Sequence, residues 1–218
     1  MTAGRAGSVS GSAFAVPATV PEGAELWLVR HGETEWSRSG QHTSRTDLSL
    51  TPLGVEQAAA LGPILDGVAP ALVLSSPRAR ALETAQLAGL RVDLVDPDLA
   101  EWDYGDYEGL TGGQIRRQVP DWTIWTHGPL NGETAQAVTA RADRVLARAA
   151  DGLFRGPVIL VAHGHISRVL AARWIGLDAV AGRNLLLGTA APSVLTVLYG
   201  SPAIDRWNIP NPKGEPSP

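Results

Sequence analysis

Three times in this chain a short apolar run stops abruptly in a polar cluster. Leu26-Trp27-Leu28-Val29 meets Arg30-His31-Gly32. Ala71-Leu72-Val73-Leu74 meets Ser75-Ser76-Pro77-Arg78, and Val158-Ile159-Leu160-Val161-Ala162 meets His163-Gly164-His165. Runs of this length, bounded by Gly or Pro, suit strands buried on both faces better than helices. Helical patterns lie between them. Thr51-Pro52 supplies a capping hydroxyl and a first-turn proline, with Leu53, Val55, Ala58, Ala59 and Leu61 as an inward face before Gly62-Pro63 weakens the helix. Pro77 opens a second helix through Ala81, Thr84, Ala85 and Ala88, residues 133–150 read as a long amphipathic helix capped by Thr134, and residues 166–175 as another. Short strands are expected at 92–95, 192–199 and 203–207, the last two near a sheet edge, and residues 33–49 as a loop or broken helix. This alternation predicts a three-layer α/β/α sandwich with a mostly parallel sheet.

In a parallel sheet the carboxyl ends of the strands share one edge, and ligands bind there. Residues far apart in sequence thus converge on one pocket holding Arg30, His31, Arg78 and His163. Like charges gathered in low dielectric repel, and a phosphate dianion resolves that conflict. A neutral imidazole can attack phosphorus in line if its other nitrogen keeps its proton by donating to a carbonyl or carboxylate. Arginines spread the charge on the equatorial oxygens, so neither a metal nor another cofactor is expected.

Composition narrows the classes. The chain has no cysteine, which removes disulfides and thiolate nucleophiles. The net charge of −4 and the lack of a Lys/Arg cluster give no case for nucleic acid. No apolar run approaches a membrane span, and cytoplasm is the expected location. Residues 1–23 read as a disordered leader too broken by Pro17 for a signal peptide, residues 24–207 as one catalytic domain, and residues 208–218 as a flexible tail. Edge strands near the C-terminus leave a homodimer open.

Four stretches in order, LVRHGETEW, SSPRARALETA, EWDYGDYEG and VAHGHISR, resemble the histidine phosphatase superfamily, also called phosphoglycerate-mutase-like, over about residues 25–177. The resemblance implies that His31 is a nucleophile that becomes phosphohistidine. It also implies that Arg30, Arg78 and His163 hold the phosphoryl oxygens, and that Glu101 is the general acid and base. Many members carry an asparagine after the tryptophan of the first motif; here Ser37 follows Trp36, and Ser37 and Thr43 become the expected phosphate contacts. EWDYGDYEG is similar to the phosphatase branch, in particular to sugar bisphosphatases of the sedoheptulose type and actinobacterial acid phosphatases. The expected partner is therefore a small phosphorylated metabolite, with residues 102–125 capping the pocket.

Several assignments have rivals. Asp103 competes with Glu101 as the acid. Arg80 competes with Arg78, which follows the helix-opening proline and so lies nearer the strand end. His165 reads as structural, and His42 and His127 as solvated loop histidines. Mutase-type phosphoryl transfer is the alternative within the family. Outside it stand a metal-dependent hydrolase built on His163 and His165, and a non-catalytic phosphate-binding module.

Overall fold

A computed structural model describes residues 20–214. The elements run β1 (Leu26–Arg30), α1 (Glu35–Ser39), α2 (Pro52–Ala59), α3 (Leu61–Leu65), β2 (Leu72–Ser75), α4 (Ala79–Leu87), β3 (Leu94–Val95), α5 (Gly112–Arg116), α6 (Ala135–Leu153), β4 (Val158–Ala162), α7 (Gly164–Trp174), β5 (Pro192–Leu198) and β6 (Ser201–Arg206). One six-stranded sheet has the order β3-β2-β4-β1-β5-β6. The β3, β2, β4 and β1 strands pair in parallel, and the β5–β6 hairpin adds antiparallel to β1.

The apolar runs are continuous because the sheet is covered on both sides. Along β1, Leu26 and Leu28 enter a core shared with α6 and α7, while Trp27 and Val29 enter one shared with α3 and α4. On β4, Leu160 and Ala162 go to the first core, Ile159 and Val161 to the second. This is the three-layer sandwich read from the alternation of elements.

Some local expectations shift. The α2 helix stops at Ala59, and α3 restarts at Leu61 with Gly62 and Pro63 in its first turn, where a missing N–H costs nothing. Within 33–49 a single short helix, α1, forms behind a Thr34/Ser37 capping box. The strand expected at 92–95 contracts to Leu94–Val95, both close to half exposed. There the Asp93 side chain, not a strand carbonyl, accepts from Val73 N at 2.9 Å.

The termini differ as well. The leader expected over 1–23 lies outside the described residues up to 19, but Val20 is buried in the larger core and Gly23 N donates to Val197 O at 2.9 Å. Of the tail expected to be flexible over 208–218, residues 208–214 are anchored. Ile209 N donates to Pro192 O at 2.8 Å, and buried Asn211 donates to Gln57 O and Ala190 O, both at 2.9 Å. Two carbonyls left over by a helix and a turn become acceptors for one side-chain amide. Among the described residues no helix is long and apolar enough to cross a membrane.

Candidate active site

Register places the site. Arg30 pairs with Ala162 across β1–β4, and Ser75 with Val161 across β2–β4, so His31, Ser76 and His163 leave adjacent strands at one edge. Immediately after β1 the backbone turns against α2. A Cβ on Gly32 would fall 2.4 Å from Gly54 O, and one on Gly54 would fall 2.1 Å from Glu33 O. Neither position admits another residue without moving the turn that carries His31.

His31 is 5% exposed, and its Nδ1 lies 2.7 Å from Gly32 O. A carbonyl only accepts, so Nδ1 carries the proton, and Nε2 of the neutral ring is left with a lone pair. Burial, then Arg80, then Arg30 pull His31 well below its ordinary value of 6.5. His163, fully buried, stands 5.1 Å from His31 ring to ring. Its Nδ1 accepts from Arg80 Nε at 3.2 Å, so its Nε2–H donates to Ser76 Oγ at 2.7 Å. It too is held well below 6.5, by burial, then Arg80 and His31.

Arg80 is fully buried and donates to the carbonyls of Thr43, Ser44 and Thr46 at 3.3, 3.5 and 3.1 Å. It is thus the arginine in contact with the histidines and with the loop beside them. Arg78, the expected phosphate contact, differs from Arg80 in helix phase. Arg78 is the N-cap of α4, half-buried, whereas Arg80 lies on the helix face turned toward the sheet edge. Arg78 still acts on His163 through its charge, and its Nε has no partner among the described residues.

Glu101 is 7% exposed and caps α7 from outside the helix. The α7 N-cap, His163, makes no side-chain capping bond; instead Glu101 accepts from His165 N and Ile166 N, and also from Trp102 N, each at 2.9 Å. A carboxylate at a helix N-terminus meets unsatisfied N–H groups and the positive end of the dipole. Asp103, the rival acid, is tied to Arg45 and to Gly105 N at 3.1 Å.

Arg30, His31, Ser37, Thr43 and Glu101 line one cavity of about 220 Å³; Arg78, Arg80 and His163 do not. Arg30 Nη1 donates to Leu187 O at 2.5 Å, and its Nε has no partner among the described residues. The Ser37 hydroxyl accepts from Thr34 N at 2.8 Å and donates to Thr34 O at 3.0 Å. Its proton thus points to Thr34 O, while Ser37 still lines the cavity where a phosphate contact is expected. Thr43 Oγ1 donates to Gln41 O at 3.2 Å. A neighbouring cavity of about 710 Å³ shares Arg30, Ser37, Arg168 and Leu187 with the first.

The model of the histidine phosphatase superfamily (branch 1) matches residues 26–210. The chain belongs to this family. This histidine phosphatase is 44% identical over 177 residues to an acid phosphatase of Mycobacterium tuberculosis, covering 80% of this chain and 87% of that one. It is 39% identical over 184 residues to sedoheptulose 1,7-bisphosphatase of Saccharomyces cerevisiae, covering 69% and 67%. The solved structure of an open reading frame from Mycobacterium tuberculosis superposes with a TM-score of 0.84 at 41% identity, covering 86% of this chain and 98% of that chain. Within the family its relatives are named phosphatases, and the chain is a phosphoric monoester hydrolase.

His163 and His165, on which the metal reading of this phosphatase rests, are both drawn into hydrogen bonds. Both ring nitrogens of His163 are engaged, and Nδ1 of His165 bonds Tyr104 Oη at 2.6 Å. Among the described residues no group of three or more His, Cys, Asp or Glu is arranged to hold a metal ion. The smaller cavity is also lined by His42, read from sequence as a solvated loop histidine, by His165, read as structural, and by Tyr104 and Arg168, which were given no part in binding. Two of them were visible as polar residues in the first turns of the helix after His163, the end that faces the sheet edge.

Proposed function

We propose that this enzyme hydrolyses a small, sugar-like phosphomonoester without a metal, through a phosphohistidine on His31. The observation that carries the reading is the locked tautomer of His31: Nδ1–H on Gly32 O, Nε2 free, and Arg80 and Arg30 beside it. Nε2 attacks phosphorus, the P–O bond to the alcohol breaks, and the developing imidazolium delivers its charge to Gly32 O through Nδ1–H. Arg30 Nε, without a partner among the described residues, and the Arg80 guanidinium neutralise the equatorial oxygens. Ser76 Oγ holds the His163 Nε2–H that a phosphoryl oxygen would compete for. Glu101 Oε2, with one N–H donor against two on Oε1, keeps capacity for the proton given to the leaving alkoxide and recovered from water. The sugar-like substrate is supported by the bisphosphatase relative.

Quenching the enzyme in alkaline detergent during turnover of a labelled ester tests this. We expect acid-labile, base-stable phosphate on His31 and none in His31→Ala, which also loses turnover. Label on another residue, or hydrolysis with no covalent phosphate at all, overturns the reading.

A further inference from the structure

The smaller cavity has a second wall that phosphoryl transfer does not use. His42, Tyr104 and His165 form it, with Trp122 and Trp125 behind. The two imidazoles stack at 6.1 Å with planes 9° apart, and the Tyr104 ring stands edge-on to both, at 4.6 Å from His42 and 5.8 Å from His165. So regular an arrangement of half-buried polar rings on a cavity wall is not explained by packing alone, because each ring keeps one nitrogen in reserve.

The tautomers follow from the partners. His42 Nδ1 is 2.8 Å from Leu110 O, a carbonyl, so that nitrogen donates and Nε2 is an acceptor. Tyr104 is 2% exposed, and among the described residues its hydroxyl has one partner, His165 Nδ1, at 2.6 Å. A buried phenol needs an acceptor for its proton, so it donates to Nδ1, and His165 Nε2–H becomes a donor. Neither Nε2 has a partner among the described residues. The wall therefore presents one acceptor and one donor from two rings. Burial holds both histidines below 6.5, His165 well below, so the rings are neutral.

We propose that His42 and His165 form a subsite for a neutral hydroxyl of the leaving group, of the polyol class, next to the ester phosphorus. This rests on the hydrolase reading above and names the alcohol that site accepts. A hydroxyl donates and accepts at once, and so satisfies both nitrogens. A second phosphate dianion offers acceptors only and meets the lone pair of His42. The cation on this wall, Arg168, is tied at 2.9 Å to both Gly182 O and Arg183 O and lies over Trp125 at 4.8 Å.

A matched pair of esters, glycerol 1-phosphate and n-propyl phosphate, isolates the hydroxyls. The readout is the ratio of their kcat/KM values, which normalises any general damage to a variant. We expect wild type to favour the glycerol ester, and His42→Phe and His165→Phe each to lower the ratio about three- to tenfold, the worth of one hydrogen bond. His42→Gln, which restores an acceptor, returns part of it. An unchanged ratio in both Phe variants overturns the subsite, as does a wild-type ratio near one. Wild-type enzyme inert to both esters overturns the hydrolase reading, and this one with it.

Discussion

His31 and Glu101 face the same cavity, yet they are held in opposite ways. His31 follows a strand paired on both sides, and its own N–H donates to Ala162 O at 3.0 Å on the neighbouring strand. Glu101 sits in a stretch from 96 to 134 whose regular structure is two short 3₁₀ turns and α5. Side chains from α6 hold that stretch. Arg141 Nη1 donates to Asp98 O and Ala100 O, both at 2.6 Å, and its Nε and Nη2 fork onto Glu133 at 2.6 and 2.8 Å. Glu133 in turn accepts from Asp103 N at 3.3 Å, and its carbonyl from Trp102 Nε1 at 2.7 Å. The half of the site proposed to carry the nucleophile is thus a property of the sheet, and the half proposed to carry the acid rests on a partly buried ion pair.

The largest expected effect separates the two arginines of the nucleophile side. Arg80→Met removes a buried cation beside both histidines and frees the loop 43–46, and should lower kcat/KM by about 10²–10³-fold. Arg78→Met should cost at least tenfold less. Steady-state kinetics on one ester decides it. Equal losses, or a larger one at Arg78, would remove Arg80 from the centre of the site.

A smaller effect is expected on the acid side. Arg141→Met strands the Glu133 carboxylate and two carbonyls, and lets the 98–103 stretch move. Misplacing a catalytic group by about an ångström costs up to ~10²-fold. We expect kcat to fall about tenfold or more on an alkyl ester, with KM little changed. An aryl ester, whose leaving group needs no proton, should lose much less. A uniform loss on both esters would mean that the ion pair supports the fold and not the acid.

This contrast also explains what was legible in the sequence. Strand ends announce themselves, because an apolar run must stop where backbone meets ligand or solvent; His31, Arg30 and His163 were all found that way. Helix phase was less visible. Choosing between Arg78 and Arg80 required knowing which face of α4 turns inward, and two residues change that face by about half a turn. Glu101 was found through family resemblance, but its capping of α7 is a contact across 64 residues that no local pattern encodes. Ser37 is the opposite case: its hydroxyl bonds Thr34 only three residues away, a local capping pattern that the family resemblance overshadowed. The anchored tail turns on Asn211, one polar side chain meeting two carbonyls at the fold's surface.

The smallest expected effect concerns pH and sharpens the comparison from the nucleophile side. His31, His163 and His165 are all held well below 6.5, chiefly by burial and then by arginines or a second histidine. Below about pH 6.5 the unfolded chain takes up protons on these rings while the folded chain does not, so unfolding is linked to proton uptake. Their contribution to stability is whole above pH 6.5 and is lost as pH falls below it. Thermal melts from pH 7.5 to 5.0 should show a falling Tm. His31→Ala removes one such ring and should flatten the slope, by at most about 1.4 kcal/mol per pH unit. A slope unchanged by that substitution would mean His31 already protonates readily in the folded protein. Its Nε2 would then gain a proton as pH falls through 6.5, and the sheet-built half of the site would lose the burial-enforced neutrality that distinguishes it.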